Sequence, residues 1–183
     1  MNKLMLVPAL AAILAGPALA EPVTKTVTID RPKVEGTRTT VIDKEAGTLV
    51  RDTDLTRKSD GATAERDYQR TRTDTGFTDS GSSTNFDGKT RSFERTRTRT
   101  DTGSSTSGSY TTRAGETFDV SANRSRTDTG FTANQTIKDH SGATVYNRDV
   151  TATRADGHVT RSVDVTRAAG FHPPRLPGGG RRH

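Results

Sequence analysis

Arg70-Thr-Arg-Thr-Asp-Thr-Gly76 is followed 27 residues later by Arg97-Thr-Arg-Thr-Asp-Thr-Gly103, and one more such interval leads to Arg124-Ser-Arg-Thr-Asp-Thr-Gly130. A fourth, decayed copy ends at Gly157. A fixed period of this length is typical of folds that repeat one supersecondary unit. The sequence therefore predicts a repeat architecture with a 27-residue period, clearest over residues 61–157.

Glycines divide each period into a longer and a shorter arm. They lie at positions 61, 76, 88, 103, 115, 130, 142 and 157. The Asp-Gly and Ser-Gly pairs offer the positive φ that tight turns need, and the Asp-Thr-Gly corners suit a three-residue turn with a left-handed Gly. The chain is therefore expected to reverse its direction twice in each period.

The long arm of each repeat alternates between two kinds of side chain, which is the pattern of a β-strand. In the first clear copy, one face carries Ala64, Arg66, Tyr68, Arg70 and Arg72. The opposite face carries Thr63, Glu65, Asp67, Gln69 and Thr71. Because Thr, Ser, Asp and Gly are poor helix formers, helices are disfavoured throughout. The sequence predicts an all-β fold, a repetitive antiparallel β-meander in a single-layer or open sheet, with a β-solenoid as the alternative.

Apolar residues are scarce. Leu, Ile, Val and Phe together number only 23 after position 20, a share at which disorder is common when the net charge is high. The chain has no Pro between positions 33 and 172, however, although disordered segments are usually rich in Pro. A thin, polar, folded sheet is therefore expected, and a disordered envelope chain without a defined partner stays as an alternative.

The N-terminus has the pattern of a secretory signal peptide. Residues 1–20 contain a basic Lys3, an apolar run over residues 4–15 and small residues at the cleavage position. The run is short for a membrane span, so no transmembrane segment is expected after its removal. The chain has no Cys, which excludes disulfides, thiolate metal sites and a Cys nucleophile. These features predict a secreted or periplasmic protein.

Three further segments follow the signal peptide. Residues 21–35 form a leader whose apolar positions suit an edge strand; these are Val23, Val27 and Ile29. Residues 36–167 form the β-repeat domain. Residues 168–183 are rich in Pro, Gly and Arg, and a disordered basic tail is expected there.

The charge of the chain is close to balanced outside its two ends. The whole sequence has a net charge of +6, but residues 21–167 hold 24 basic and 22 acidic residues. A body with so small a net charge is expected to attract polyanions only weakly over a distance. Nucleic acid is accordingly not expected as a partner.

The motifs that resemble catalytic or metal sites have simpler explanations as turns. Asp-Thr-Gly is the tripeptide of aspartic proteases, but here Thr, Arg, Phe and Ser flank it, so no sheltered carboxylate pair is expected. One Asp per turn supplies too few oxygens for calcium. The four His residues are scattered without ligand spacing. The sequence therefore predicts a protein that is not an enzyme and uses no metal or cofactor.

Regularly spaced arginines are the strongest candidate for a binding site. If the repeats stack in register, these side chains form two parallel rows that bind the carboxylates, sulfates or phosphates of an acidic polymer in bidentate geometry. The six candidates are Arg70, Arg72, Arg97, Arg99, Arg124 and Arg126. The sequence thus predicts a structural or interaction element of the cell envelope that contacts acidic polysaccharide or another envelope polyanion.

Two other functions stay open. Low-aliphatic strands with Gly turns permit a self-assembling or adhesive fibre subunit, and self-association is kept as an alternative. The Thr-x-Thr segments, such as Thr96-Arg-Thr98-Arg-Thr100, resemble the Thr ranks of β-solenoid ice-binding proteins. Glu94 and Asp119 interrupt that Thr face, whereas ice-binding surfaces are flat and uncharged, which makes this resemblance the weaker alternative.

Overall fold

The computed structural model describes residues 21–174 and shows one sheet of eleven antiparallel strands, each paired with the next along the chain. The strands are β1 (Val23–Asp30), β2 (Val34–Asp43), β3 (Thr48–Arg57), β4 (Thr63–Arg72), β5 (Gly76–Thr84), β6 (Thr90–Thr100), β7 (Gly103–Thr111), β8 (Thr117–Thr127), β9 (Gly130–Asp139), β10 (Thr144–Ala155) and β11 (His158–Arg167). The predicted all-β meander is confirmed, and the solenoid alternative is not what the chain adopts. The predicted signal peptide lies outside the described residues.

Within residues 21–174 the sheet has two free edges. β1, formed by the predicted leader, lies at one edge and pairs there only with β2, while β11 lies at the other and pairs only with β10. The apolar residues of the leader therefore belong to the same sheet as the repeats. Residues 21–174 contain no helix long and apolar enough to cross a membrane.

One kind of turn follows the sequence prediction. Gly88 of the predicted Asp87-Gly88 pair adopts a φ of +74°. Gly115 lies one period later and is not part of a predicted pair, because it follows Ala114, but it adopts a similar φ of +85°. In each turn the residue three positions earlier accepts two backbone N–H bonds: Asn85 Oδ1 from Asp87 and Lys89, and Thr112 Oγ1 from residues 114 and 116. These side chains satisfy the turn amides, which is why a small polar residue recurs there.

The Asp-Thr-Gly turns differ from the prediction. Asp101 and Thr102 form a two-residue loop, and Gly103 opens β7 in pairing with Thr100, so the loop is one residue shorter than expected. Gly103 is not among the glycines with positive φ. A Cβ on Gly103 would lie 1.8 Å from the carbonyl oxygen of Arg124 on β8. Glycine recurs here because the next strand passes too close for a side chain, not because the turn is left-handed.

All the buried residues that the structure describes lie on one face of the sheet, the face that carries Arg70, Arg97 and Arg124, here called the Arg face. They are Thr53, Ala64, Asp79, Tyr110, Val120, Ile137, Tyr146, Val150 and Ala152. Ile137 is only 1% exposed. No second layer of strands covers this face within residues 21–174, so its side chains are buried by one another and by Phe171.

The first residues of the predicted tail pack against this face. After β11 the Ala168 N–H donates to the Val145 carbonyl oxygen at 2.9 Å. The Phe171 ring then lies 5.4 Å from the Phe118 ring and 6.4 Å from the Tyr146 ring, measured between centroids. The disorder predicted for residues 168–183 is therefore wrong for the segment up to residue 174, because backbone and ring contacts hold that segment against the sheet. Residues 175–183 fall outside the described part of the chain.

Candidate anion-binding face

The sheet sorts its charges by face. Of the eighteen Lys and Arg residues within the strands, seventeen lie on the Arg face: Lys25, Arg38, Arg51, Arg57, Arg66, Arg70, Arg72, Arg91, Arg95, Arg97, Arg99, Arg124, Arg126, Arg148, Arg154, Arg161 and Arg167. Of the thirteen strand Asp and Glu residues, eleven lie on the opposite face, here called the acidic face: Asp30, Glu35, Asp43, Asp52, Asp54, Glu65, Asp67, Glu94, Asp119, Asp149 and Asp164.

This separation follows from the two-residue period of a strand. Within each strand the basic and acidic residues occupy alternate positions, and alternate positions point to opposite sides of a sheet. A balanced count of charges along the chain therefore becomes two oppositely charged surfaces in the fold. The small net charge of residues 21–167 therefore describes neither face, because each face carries mainly one sign of charge.

The six predicted arginines all lie on the Arg face, but their rows are staggered. Through one intervening residue of β5, Arg72 aligns with Arg97. Through one residue of β7, Arg99 aligns with Arg124. In each aligned pair the sequence separation of the two arginines is two residues shorter than one full period. Arginines at equivalent positions of successive repeats are therefore displaced by two positions along the strands. The rows run diagonally across the sheet, with aligned arginines about 10 Å apart.

These six side chains are not equally free to bind a ligand. The Arg70 guanidinium lies 3.4 Å from the Asp79 carboxylate and 4.2 Å from the centre of the Phe77 ring. Arg124 covers the Phe131 ring at 3.9 Å. The five candidates other than Arg70 form no ion pair with an acidic residue between positions 21 and 174. Arg70 thus has a structural role, whereas the other five keep their charge available.

Asp79 on β5 is a site residue that the sequence did not reveal. It is 2% exposed, and its carboxylate accepts hydrogen bonds from Arg95 at 2.5 and 2.8 Å and from the Tyr68 hydroxyl at 3.3 Å. The bond to Asp79 raises the pKa of Arg95, and burial together with the Asp79 charge raises the pKa of Tyr68. The sequence held one signal for this site. Asp79 lies two residues after Phe77 in β5, so both side chains point to the same face, and the neighbouring strands place arginines on that face.

A groove of about 790 Å³ opens on the Arg face between the strands β2 to β8 and the tail segment 170–174. Its aromatic lining is Tyr68, Phe93, Tyr110, Phe118 and Phe171. Its basic lining is Arg38, Arg51, Arg66, Arg70, Arg91 and Arg113. Of the predicted site residues only Arg70 borders it. The others follow the same face toward the Asp-Thr-Gly turns.

The structure shows no group of three or more His, Asp or Glu residues that could hold a metal ion among positions 21–174. No protein-family model matches the chain, and neither a curated protein nor a solved structure is significantly similar to it.

Proposed function

We propose that this protein is a non-enzymatic binding protein of the cell envelope, and that its Arg face binds acidic polysaccharide or a comparable envelope polyanion. The observation that supports this proposal is the segregation of seventeen basic strand residues on one face. A polymer lying across such a face contacts many cations at once, so weak individual contacts add up to useful affinity.

The chemistry of the face suits oxoanions. All but one of its basic residues are Arg, whose planar guanidinium binds carboxylate, sulfate and phosphate through two parallel hydrogen bonds. The arginines are held in place by the strands, and several lie over aromatic rings, as Arg124 does over Phe131. This support reduces the entropy lost when a ligand orders them.

The expected place of action comes from the sequence. The N-terminal pattern of a signal peptide predicts export, and the polyanions outside the cytoplasm are chiefly the acidic polymers of the envelope. The low apolar content and the absence of Cys fit a small exported sheet that is not stabilised by disulfides.

The test is the binding of residues 21–183 to heparin, used as a model acidic polysaccharide, at 50 to 300 mM salt. Replacing Arg97 and Arg99 by Ser removes two unpaired cations of the face, and we expect affinity to fall about tenfold at 50 mM salt. Replacing Lys44 and Lys138 by Ser removes the same charge from a turn and from the acidic face. That control pair should change affinity by less than about twofold.

The wild-type affinity should also fall steeply as salt rises, because charge contacts dominate the binding. Salt-independent binding, or an equal loss in the two double variants, would contradict the proposal.

A fibre subunit is the second candidate, and the two sheet edges favour it. Val27 on β1 is 42% exposed and Val163 on β11 is 46% exposed, next to backbone groups without a strand partner in the described residues. Lys25 and Arg161 on the same two strands oppose edge-to-edge pairing, because charged edges discourage it. A fibre subunit would sediment as β-rich polymer without any polyanion, and a polymer-binding protein would not.

A further inference from the structure

The groove begins with a row of arginines that the register of the sheet places side by side. Thr53 of β3 lies between Arg38 and Arg66, and Ser83 of β5 lies between Arg66 and Arg91. Basic groups and hydroxyls therefore alternate across the strands from β2 to β6. The Thr53 hydroxyl oxygen is buried and has no hydrogen-bond partner among residues 21–174, whereas Ser83 is not buried. The guanidiniums of this row and the Ser83 hydroxyl are therefore the groups that can donate hydrogen bonds to an oxoanion.

A fourth arginine, Arg113, lies near this row and belongs to the turn between β7 and β8. Partial burial lowers the pKa of Arg91, and the positive charges of Arg113 and Arg66 lower it further. Glu116 and Asp67 also border the groove, but neither lies within ion-pair distance of these arginines. These positive charges thus lie close together without a carboxylate partner among residues 21–174. They repel one another, and a bound anion would reduce that repulsion.

Aromatic rings follow the arginine row two positions along the strands. Tyr68, Phe93, Tyr110 and Phe118 stand in line across β4 to β8, with Gly81 between the first two. The Tyr68 and Phe93 rings are 6.3 Å apart between centroids. A Cβ on Gly81 would lie 2.9 Å from the Phe93 ring. Because Gly81 has no side chain, no group from β5 separates these rings.

We infer that the groove binds one ring of an acidic polysaccharide that carries a sulfate or phosphate, with the sugar ring on Tyr68 and Phe93 and the oxoanion on Arg66, Arg91 and Arg113. This inference rests on the proposed function and adds a defined subsite to it. A volume of about 790 Å³ falls in the range of pockets that enclose small ligands, roughly 300 to 1,000 Å³. A sugar is favoured over a nucleobase because the signal-peptide pattern predicts export, and the polyanions outside the cytoplasm are chiefly the acidic polymers of the envelope.

The subsite is tested with two small probes, a heparin tetrasaccharide and a polyphosphate of equal charge that has no ring, by calorimetry on residues 21–183. Replacing Arg91 and Arg113 by Gln should weaken both probes at least tenfold. Phe93→Leu should weaken the tetrasaccharide about fivefold and leave polyphosphate unchanged. The matched control replaces Lys44 and Lys138, which lie outside the groove and off the Arg face, by Gln and should leave the tetrasaccharide affinity within twofold.

A second variant avoids the aromatic cluster. Ser83→Glu places a carboxylate between Arg66 and Arg91 at a position that is not buried, so the sheet should keep its circular dichroism spectrum. The tetrasaccharide affinity should drop at least tenfold, because the new charge occupies the anion position.

Three results would overturn the inference. One is a folded Ser83→Glu variant with unchanged tetrasaccharide binding. Another is a Phe93→Leu variant that weakens both probes equally. The third is tighter binding of an oligothymidylate of equal charge than of the tetrasaccharide, which would assign the groove to single-stranded nucleic acid. If long heparin still depends on Arg97 and Arg99 in these cases, the proposed function stands and only the subsite fails.

Discussion

At the scale of single residues, Tyr110 shows how one side chain joins the core to the groove. It is 5% exposed, its ring stacks on Phe118 at 5.0 Å, and it also lines the groove. Burial raises the pKa of its hydroxyl to about 12, and the charge of Glu116 adds to this shift. The fold therefore favours the neutral phenol.

The Tyr110 shift predicts a loss of stability at high pH. Its pKa in the folded state lies above the value of about 10 in an unfolded chain, so the stabilisation is complete below pH 10 and disappears as pH rises to about 12. We expect the free energy of unfolding to fall by about 2 kcal/mol over this range, measured by urea titration. Tyr110→Phe removes the titrating group and should abolish this share of the fall. Identical pH dependence in both proteins would exclude the assignment.

At the scale of elements, the two kinds of turn use glycine for different physical reasons. Gly88 adopts a φ of +74°, and a Cβ on this residue would have no atom within 4 Å, so only the backbone conformation demands glycine. At Gly103 the backbone is not left-handed, and the carbonyl of Arg124 occupies the place of a side chain. The first turn depends on conformation and the second on close strand approach.

Alanine substitutions separate these two causes. Gly88→Ala should cost about 1 kcal/mol of unfolding free energy, the usual penalty for an L-residue at positive φ. Gly103→Ala should cost at least about 2 kcal/mol, because β8 must move away from β7. Urea midpoints of the two variants and the wild type give the comparison. A larger loss for Gly88→Ala would show that strand spacing adapts easily.

The strands and their two faces were predictable because Arg and Thr alternate along each strand. This pattern is local, and it does not depend on how the strands pack. The turns at Gly61, Gly88, Gly142 and Gly157 were predictable for the same reason, because each Gly follows an Asp or a Ser in a local pair. The loop at Asp101 was not, since its geometry depends on how near β8 passes. The groove was also hidden, because Arg38 and Arg51 lie in strands outside the clear repeats and the ring at position 171 lies in a segment that resembles a disordered tail.

At the scale of the whole molecule, contacts follow the order of the chain. Each strand packs closely only with its sequence neighbours, from β1·β2 to β10·β11. The buried cluster is confined to the part from β7 to β10 and contains Tyr110, Val120, Ile137 and Tyr146. Stability is therefore unevenly distributed along the sheet, as in other arrays whose units contact only their neighbours.

Hydrogen exchange should reveal this gradient. Amides in the ladder between β8 and β9 should exchange slowest, because they lie beside the buried cluster. Amides of β1 and β11 should exchange fastest, since these strands are paired on one side only and expose Val27 and Val163. Mass spectrometry of exchanged peptides provides the measurement. Uniform protection across all strands would mean that the sheet opens as a single cooperative unit instead.

Because each strand contacts mainly its sequence neighbours, the fold also affects how such a chain can change in evolution. Residues one period apart, such as Arg70 and Arg97, lie on the same face, so a tandem duplication or loss of one period widens or narrows the sheet by two strands without exchanging its faces. The rest of the molecule keeps its neighbours. The number of periods thus sets the width of the Arg face and, under the proposed function, the length of polymer that one molecule covers.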